Sequence, residues 1–464
     1  MMEREKLGSR LGFILLSAGC AIGLGNVWKF PSLVAASGGG FFVLFYILFL
    51  FILGLPVMTM EFALGRASQK SPVKMLKSLE KPGQKWHWYG FFAMAGNWLL
   101  MMFYAAVCGW MLQYFVNTAK GNFVGLDAPA ISEAFGGMVG DWKTMLLYTV
   151  IIVIGGFFVC SFSLQKGLER VTKYMMLALL VIMVGLAVYS CCQPGASEGL
   201  NFYLMPNVDN MMSVGIDRVI VNAMNQAFFT LSLGIGSMAI FGSYLKKDHS
   251  LLGEAVNVGI LDTFVAITSG LIIFPACFAY DVPLTDAEGN LAGGPGLIFE
   301  VLPNLFSNIP GGRIVGSLFF LFLFFAAFST VLAVFENIVA MMMDLTGWSR
   351  RKTCLVCCPA MLLLCLPCIF GFNLWSGFMP FGAGSNFMDL EDFIVSNVLL
   401  PVGSLVFALF CTCRYGWGFK NFKAEANEGK GLKVKNWMRV YVSYILPVII
   451  FVLFLIGLWD KFVK

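Results

Sequence analysis

The first long apolar run of this sequence is interrupted by residues that break helices. Gly19, Gly23, Gly25, Asn26 and Pro31 all fall between residues 19 and 31. Lipid offers no partners to backbone groups that leave a helix, so such a break is tolerated only where the freed groups line a cavity or hold a ligand. The sequence therefore predicts two half-helices, one presenting carbonyl groups to a cation and the other presenting amides to an anion.

A second interruption lies in the second half of the chain. Residues 228–236 read FFTLSLGIG in the middle of another apolar run, and they again contain a Gly-x-Gly core. Interrupted segments at matching places in two halves of a chain indicate a transport site at the bilayer midplane. The alternative is that these glycines only allow helices to pack closely.

Composition excludes a soluble protein. Of the 464 residues 59% are hydrophobic and 12% are charged, whereas a soluble domain has about 25% charged residues. The net charge of +5 reflects Lys and Arg in alternate loops, so a lipid bilayer is the expected partner and nucleic acid is not. The 13 Cys behave as small buried hydrophobes, and neither a metal site nor a disulfide framework is expected from them.

Eleven apolar runs are long enough to cross a membrane. They lie near residues 10–35, 40–65, 89–116, 143–163, 170–192, 217–244, 254–280, 313–343, 354–371, 391–413 and 438–459, and are called spans 1 to 11 below. Basic residues concentrate in the loops after the even-numbered spans, which predicts that these loops are cytoplasmic. We therefore expect a multi-pass protein of a bacterial plasma (inner) membrane, with a cytoplasmic amino terminus and an extracellular carboxyl terminus.

Several stretches resemble one transporter family. They are residues 10–13 (RLGF), 23–31 (GLGNVWKFP), 226–232 (QAFFTLS) and 324–330 (FFAAFST). The sequence resembles the bacterial branch of the neurotransmitter:sodium symporter family from end to end. The resemblance implies an all-α polytopic membrane fold with a five-plus-five inverted repeat and broken helices 1 and 6. In a single domain covering 1–464, it implies repeats at about 9–192 and 217–413 and an accessory helix at about 438–460.

The resemblance also implies two sodium sites. It places the first on the carbonyl of Ala21 and the side chains of Asn26, Thr230 and Asp262. It places the second on the carbonyls of Gly19, Ile22 and Ala326 and the hydroxyls of Ser329 and Thr330. Broken helices expose carbonyls to which hydroxyls add, which makes the same residues plausible ligands. The alternative is that the two hydroxyls only bond to their own helix.

Asp262 departs from the common family pattern, because many members have Asn at this position. An ionisable residue inside a span is a functional candidate by default. A carboxylate beside sodium supplies the charge that animal relatives obtain from a bound chloride, so transport is expected to be independent of chloride. A further hypothesis is that Asp262 or Glu336 of span 8 takes up a proton on the return step.

Gly23 indicates the charge of the substrate. Monoamine carriers of the family have Asp at this position, and the space is expected to be empty here. The resemblance then lets a substrate carboxylate approach the sodium, the amides of Leu24 and Gly25 and the hydroxyl of Tyr104. Ala21 would also line the substrate site. Carbonyls near Phe229, Thr230 and Ser232 would take the ammonium, and Leu100, Phe229, Ile235, Thr330 and Val334 would surround the side chain. A neutral hydrophobic or aromatic amino acid is the expected substrate.

Charge pairs resemble the family's two gates. Lys29 and Asp392 correspond to the outer gate, with Lys in place of the usual Arg, which keeps the charge and loses the bidentate geometry. Arg4, Tyr244 and Asp344 correspond to the inner gate. The alternative is that these are ordinary interfacial charges.

One residue of span 2 and one of span 5 concern the helices that change conformation during transport. Glu61, near Arg66, is expected to be a structural acceptor for the broken helices. Leu177 stands where members usually have a Pro that lets helix five unwind, so that release step is not expected here.

The function predicted from these features is sodium-coupled symport of an amino acid by alternating access, by a monomer or a weak dimer. A proton-coupled or exchange carrier of the same fold is the alternative within this class, and an ion channel is the alternative outside it. An enzyme is not expected, because His87 and His249 lie in or beside cytoplasmic loops without a nucleophile to activate.

Overall fold

The computed structural model describes residues 6–282 and 295–462. Within these ranges, nine helices are long and apolar enough to cross a membrane. They are Gly40–Ser68, Trp88–Lys120, Trp142–Cys160, Gln165–Cys191, Leu251–Ala279, Gly312–Thr346, Arg350–Gly371, Phe387–Thr412 and Met438–Trp459. These helices correspond to spans 2–5 and 7–11, and most of their ends lie within a few residues of the predicted ones. Gln165–Cys191 is one helix through Leu177, without the unwinding that a Pro would favour.

Span 1 is broken where its glycines predict. Arg10–Ala21 and Gly25–Ala36 form two helices that meet at an angle of 55°. The first begins after Ser9, whose side chain accepts a hydrogen bond from the Gly12 amide, and it ends at Ile22, whose backbone is extended. The extended residue ends the helical ladder, and this leaves the carbonyls of the last turn without partners in their own helix.

Span 6 is broken as well. Its two helices, Ile216–Thr230 and Ser237–Ser243, are separated by six residues. Ser232, Gly234 and Gly236 have positive φ angles in this stretch, and glycine adopts that conformation at little cost. Gly234 is further restricted because a Cβ there would collide with the Leu400 carbonyl of span 10. The prediction that spans 1 and 6 are broken is confirmed; as the sixth span is two short helices, the count of eleven stays a prediction.

Spans 3 and 8 form the centre of the bundle. Trp88–Lys120 and Gly312–Thr346 pack along each other, and the Arg10–Ala21 helix lies against the second of them. The two halves of span 6 pack on span 2. Both breaks therefore face the same central region. The bounds of the two sequence repeats stay a prediction.

Short helices cover the two ends of the bundle. At the end that carries Lys29 lie Ala128–Gly140, Ala196–Leu204, Val208–Val214, Leu297–Val301 and Leu302–Asn308. Phe299 holds the last pair in place through ring contacts with Trp28, Trp110 and Phe135. The opposite end carries the short helices Pro72–Leu79 and Phe419–Ala426.

Candidate functional site

A small cavity lies where the two breaks face each other. Its wall is formed by both breaks and by spans 3, 8 and 10, through Cys20, Ala21, Gly23, Leu24, Gly25, Leu100, Tyr104, Phe229, Ser232, Ile235, Thr330, Val395 and Leu400. Its volume is about 20 Å³, little more than one water molecule needs. A larger molecule therefore enters only if wall side chains move.

Ten of the twelve predicted substrate-binding residues line the cavity. Thr230 and Val334 are buried but do not line it. Cys20, Val395 and Leu400 line it and were not predicted. The last two belong to span 10, where a uniformly apolar sequence marks no position as special. Only the three-dimensional approach of that span to the Gly234 turn identifies them.

Asp262 lies at the centre of a buried polar cluster. Its carboxylate accepts hydrogen bonds from Asn26 Nδ2 at 2.9 Å, from the Thr230 hydroxyl at 3.1 Å and from the Tyr46 hydroxyl at 3.2 Å. The side chain is 0% exposed. Asn26 and Thr230 were predicted to join Asp262, and Tyr46 of span 2 was not. The cluster collects one anionic group and several oxygen atoms from four spans.

The break in span 1 is held open by side chains. Asn26 Oδ1 accepts from the Gly23 amide at 3.2 Å, and its carbonyl accepts from the Ser269 hydroxyl at 2.8 Å. Gln226 of span 6 donates to the Gly25 carbonyl at 2.7 Å. Backbone groups freed by the break are thus partly satisfied by other spans, as a buried break requires.

Span 8 contributes a second cluster of oxygen atoms. The Thr330 hydroxyl lies 3.1 Å from both the Gly19 and the Ile22 carbonyl oxygens. Ser329 donates instead to Ala326 of its own helix at 2.9 Å. The alternative in which these hydroxyls only bond to their own helix therefore describes Ser329 and not Thr330, which bridges to span 1.

The space over Gly23 is not empty, contrary to the sequence prediction. A Cβ at Gly23 would collide with the hydroxyls of Tyr104 and Thr330. The Leu24 amide donates to the Tyr104 oxygen at 3.0 Å. Hydroxyls and an amide, which are groups that can bind an anion, border this space, but an anionic group would fit only after the side chains of Tyr104 and Thr330 move.

At the Lys29 end, a vestibule of about 340 Å³ leads toward the cavity, and Phe229 lines both. Lys29 and Asp392 also line the vestibule. The Lys29 amine lies 3.8 Å from the centroid of the Phe229 ring, and Asp392 accepts from the Ser396 hydroxyl at 2.7 Å. Among the residues that the structure describes, no ion pair joins Lys29 to Asp392.

The opposite end is closed by buried charges. Both oxygens of Glu336 accept from the Arg350 guanidinium, at 2.6 and 2.9 Å, and Tyr244 donates to the same carboxylate at 2.7 Å. Asp344 accepts from the Ser71 amide at 2.8 Å, and Arg4 lies outside the described residues. Arg350 was not predicted here, although it is the first of three consecutive basic residues. Glu336, considered as a proton carrier, is half of an ion pair.

Glu61 connects span 2 to the break in span 6. One of its carboxylate oxygens accepts from the Gly234 amide at 2.6 Å, which agrees with the predicted structural role. Arg66, one helical turn further along, does not pair with Glu61. Its guanidinium contacts the Glu425 side chain and carbonyl and the His249 carbonyl.

This geometry agrees with comparisons to known proteins. The sodium:neurotransmitter symporter family model matches residues 4–125 and 129–462. The chain belongs to the sodium:neurotransmitter symporter family. It is 32% identical over 449 residues to YhdH of Bacillus subtilis, an uncharacterized sodium-dependent transporter, covering 96% of both chains. It is 31% identical to a sodium-dependent transporter of Methanocaldococcus jannaschii, over 97% of this chain and 89% of the relative.

A solved structure of the family has the same fold. The crystal structure of MhsT in complex with L-phenylalanine matches with a TM-score of 0.85 and 35% identity, covering 98% of this chain and 100% of MhsT. The predicted family and the predicted all-helical fold are thereby confirmed. The protein is a sodium-coupled membrane transporter of a small molecule and not an enzyme.

Proposed function

We propose that the protein imports a neutral hydrophobic or aromatic amino acid together with sodium, by alternating access. The observation that carries this proposal is that both broken spans and Thr330 line one cavity, while Asp262 contacts both broken spans through Asn26 and Thr230. The basic loops mark the Arg350 end as cytoplasmic, so the Lys29 vestibule faces outward. The host membrane is then a bacterial plasma membrane, with the amino terminus inside.

The first sodium ion is proposed to bind at the Asp262 cluster. Sodium is a hard cation and takes oxygen ligands, like calcium and magnesium. The Asp262 carboxylate and the Thr230 hydroxyl offer such oxygens 3.1 Å apart, and the carbonyl of Ala21 ends the neighbouring half-helix. Asn26 now turns its Nδ2 toward the carboxylate and its Oδ1 toward the Gly23 amide, so its side chain would rotate to offer the oxygen to the ion. The ion would exchange its shell of water for these ligands, and the carboxylate would balance its charge.

The second sodium ion is proposed to bind between spans 1 and 8. The Thr330 hydroxyl oxygen already lies 3.1 Å from the carbonyl oxygens of Gly19 and Ile22. The Ala326 carbonyl and the Ser329 hydroxyl would complete the set of ligands once that hydroxyl rotates away from its own helix. This site joins the broken span to span 8, so its occupancy would hold the two together.

The substrate is proposed to bind with its carboxylate above Gly23. The hydroxyl of Tyr104 and the amide of Leu24 border that space. Leu100, Phe229 and Ile235 contribute apolar surface to the cavity, and none of its lining residues in the described ranges is charged. The phenylalanine bound to MhsT supports the aromatic end of this range.

Transport is proposed not to require chloride. Three donors, from Asn26, Thr230 and Tyr46, already converge on the Asp262 carboxylate. A separate anion would compete with that carboxylate for the same donors. Asp262→Asn removes the charge and keeps the shape, so uptake by this variant should become dependent on chloride, while the parent transports equally in gluconate. Parent uptake that collapses in gluconate would overturn this part.

Two sodium ions are proposed to drive uptake. At 100 mV each ion gains about 2.3 kcal/mol, and a tenfold gradient adds about 1.4 kcal/mol. Two ions supply roughly 7 kcal/mol, enough for an amino acid gradient of about 10⁵-fold, whereas one ion supports only about 500-fold. Accumulation in proteoliposomes at a fixed potential therefore distinguishes the two stoichiometries.

The deciding experiment is a thermal unfolding screen of the purified protein against the twenty amino acids, with sodium or choline as the cation. Sodium alone should raise the midpoint, and apolar or aromatic amino acids should raise it further only in sodium. Stabilisation by charged amino acids alone, or equal stabilisation in choline, would refute the proposal. Uptake that survives in choline would assign the chain to the proton-coupled or exchange alternative.

A further inference from the structure

A basic groove opens where spans 10 and 11 are joined. Its volume is about 720 Å³, and it is lined by Phe419, Lys420, Lys423, Ala424, Asn427, Asn436 and Arg439. Three of these side chains are cationic and two are amides, and none is acidic. The groove lies at the Arg350 end, far along spans 10 and 11 from the central cavity.

The groove lies at the boundary of the membrane. Span 10 ends at Thr412 and span 11 begins at Met438, so its lining residues come just after one crossing and at the start of the next. Two aromatic side chains of the same loop are strongly exposed, Tyr415 at 80% and Trp437 at 69%. Trp and Tyr are enriched at the level of lipid headgroups, which places the groove at that depth.

The short helix Phe419–Ala426 divides its charges between two sides. Its acidic residue Glu425 contacts Arg66 of span 2, and Glu428 just beyond it accepts from Lys247 at 2.9 Å. Lys420 and Lys423 remain on the groove side. The acidic residues are thus neutralised by the protein, and the basic residues face the open groove.

The groove is fixed in shape by its surroundings. Phe419 and Phe422 are buried and anchor the helix, and Lys423 Nζ donates to Asn436 Oδ1 at 2.6 Å. Beyond the helix, the Lys430 amide donates to the Asp248 carbonyl at 3.0 Å, and its carbonyl accepts from the Ser250 amide at 2.9 Å. The loop between spans 10 and 11 is therefore attached to span 2 and to the loop that follows the second half of span 6.

We propose that this groove binds the phosphate headgroup of an anionic phospholipid from the membrane leaflet at the Arg350 end. Lysine and arginine donate charge-assisted hydrogen bonds to phosphate oxygens, and basic pockets on this side of membrane proteins bind anionic headgroups. The exposed aromatic residues and the start of span 11 offer apolar surface to the acyl chains. Because the loop is attached to spans 2 and 6, a bound lipid stabilises the arrangement of the broken helices seen here.

The test compares two matched sets of substitutions in the full-length protein. Lys420→Gln, Lys423→Gln and Arg439→Gln together remove the groove charges. Lys74→Gln, Lys85→Gln and Lys166→Gln together remove three exposed charges from other loops at the same end. Thermal unfolding in detergent is measured while phosphatidylglycerol, phosphatidylcholine or inorganic phosphate is titrated.

Phosphatidylglycerol should stabilise the parent and the loop control at the same concentration, and phosphatidylcholine should not. Each charge near an anionic surface contributes about fivefold in affinity, so the groove triple variant should need about 100-fold more phosphatidylglycerol. Lys420→Arg with Lys423→Arg and Arg439→Lys should restore the parent response, which separates loss of binding from misfolding.

Three outcomes would overturn the proposal. Equal responses of the groove and loop variants would mean that the lipid acts through general charge. A parent that responds to inorganic phosphate as strongly as to phosphatidylglycerol would assign the groove to a soluble anion. Failure of the charge-conserving variant to recover would show that the substitutions act on folding. None of these readouts depends on sodium or on the amino acid substrate.

Discussion

The two ends of the bundle treat their charges differently. At the Lys29 end, Lys29 and Asp392 share a vestibule of about 340 Å³ without forming an ion pair. At the Arg350 end, Glu336 and Arg350 form a two-point contact and are 0% and 12% exposed. One end therefore keeps its charges separate around open space, and the other uses them to fill and close the bundle.

This difference indicates which end opens more easily from the present conformation. A buried charge that loses its partner is left desolvated, whereas a charge beside an open vestibule can be solvated before and after a movement. Opening the Arg350 end requires breaking the Glu336 contacts, whereas at the Lys29 end only Leu24, Tyr104 and Phe229 line both the vestibule and the cavity among the described residues. The conformation is thus closed at the end that we propose as cytoplasmic and nearly open at the other.

The largest effect is expected from Glu336→Gln. It removes the buried negative charge that the Arg350 guanidinium and the Tyr244 hydroxyl contact, and breaking such a pair costs about 3–5 kcal/mol. The thermal unfolding midpoint in detergent should fall sharply. The double variant Glu336→Gln with Arg350→Gln removes both charges and should recover much of the loss. A double variant no more stable than the single one would contradict the view that the pair is coupled.

The sequence predicted the two central breaks better than it predicted the closure of the Arg350 end. The two breaks follow from local composition, because Gly, Asn and Pro clustered within an apolar run disfavour a continuous helix. The Glu336–Arg350 contact joins residues 14 positions apart across a helix boundary at Thr346 and Gly347. The sequence shows that basic residues follow span 8, but only the fold shows that one of them, Arg350, reaches back into the bundle.

The contacts of Asp262 show the same limit at the site itself. Asn26 and Thr230 were predicted to join it because they belong to recognisable motifs. Tyr46 is the one tyrosine among the phenylalanines of span 2, so its hydroxyl was visible in the sequence, but nothing local indicated that it contacts Asp262. Long-range approach between spans, and side-chain volume in the cavity, are properties of packing that no local pattern specifies.

Arg66→Lys should have the next largest effect. Lysine keeps the charge but loses the forked geometry that reaches the Glu425 side chain and the carbonyls of Glu425 and His249. Hydrogen bonds to charged groups contribute about 1.5–3 kcal/mol each, so a loss of about 2–3 kcal/mol in unfolding free energy is expected. Lys247→Gln is the control, because its side chain is 57% exposed and its removal should cost under about 1 kcal/mol.

Phe229→Ala tests the wall between vestibule and cavity. A fully buried Phe is worth about 1.5–3 kcal/mol, and half-burial reduces this to roughly the energy of a tenfold change in affinity. The bound amino acid should dissociate about tenfold faster, as measured with a radiolabelled substrate. Phe229→Leu retains most of the apolar volume, so its dissociation rate should lie between those of the parent and of Phe229→Ala. An unchanged dissociation rate would show that Phe229 does not close the cavity.

Lys29→Gln should have the smallest effect and is the sharpest test of the comparison. Its amine contacts the face of the Phe229 ring, an interaction worth about 0.5–1 kcal/mol at an exposed site. The unfolding midpoint should scarcely change, and substrate affinity should fall by no more than about fivefold. Lys29→Arg should act in the opposite sense, because a longer planar group reaches toward Asp392 and favours a closed vestibule, which slows substrate association. Asp392→Asn should remove that slowing, since the arginine then lacks its partner. If Lys29→Gln destabilised the protein as much as Glu336→Gln, the charges of the two ends would be equivalent, and burial alone could not explain which end is closed.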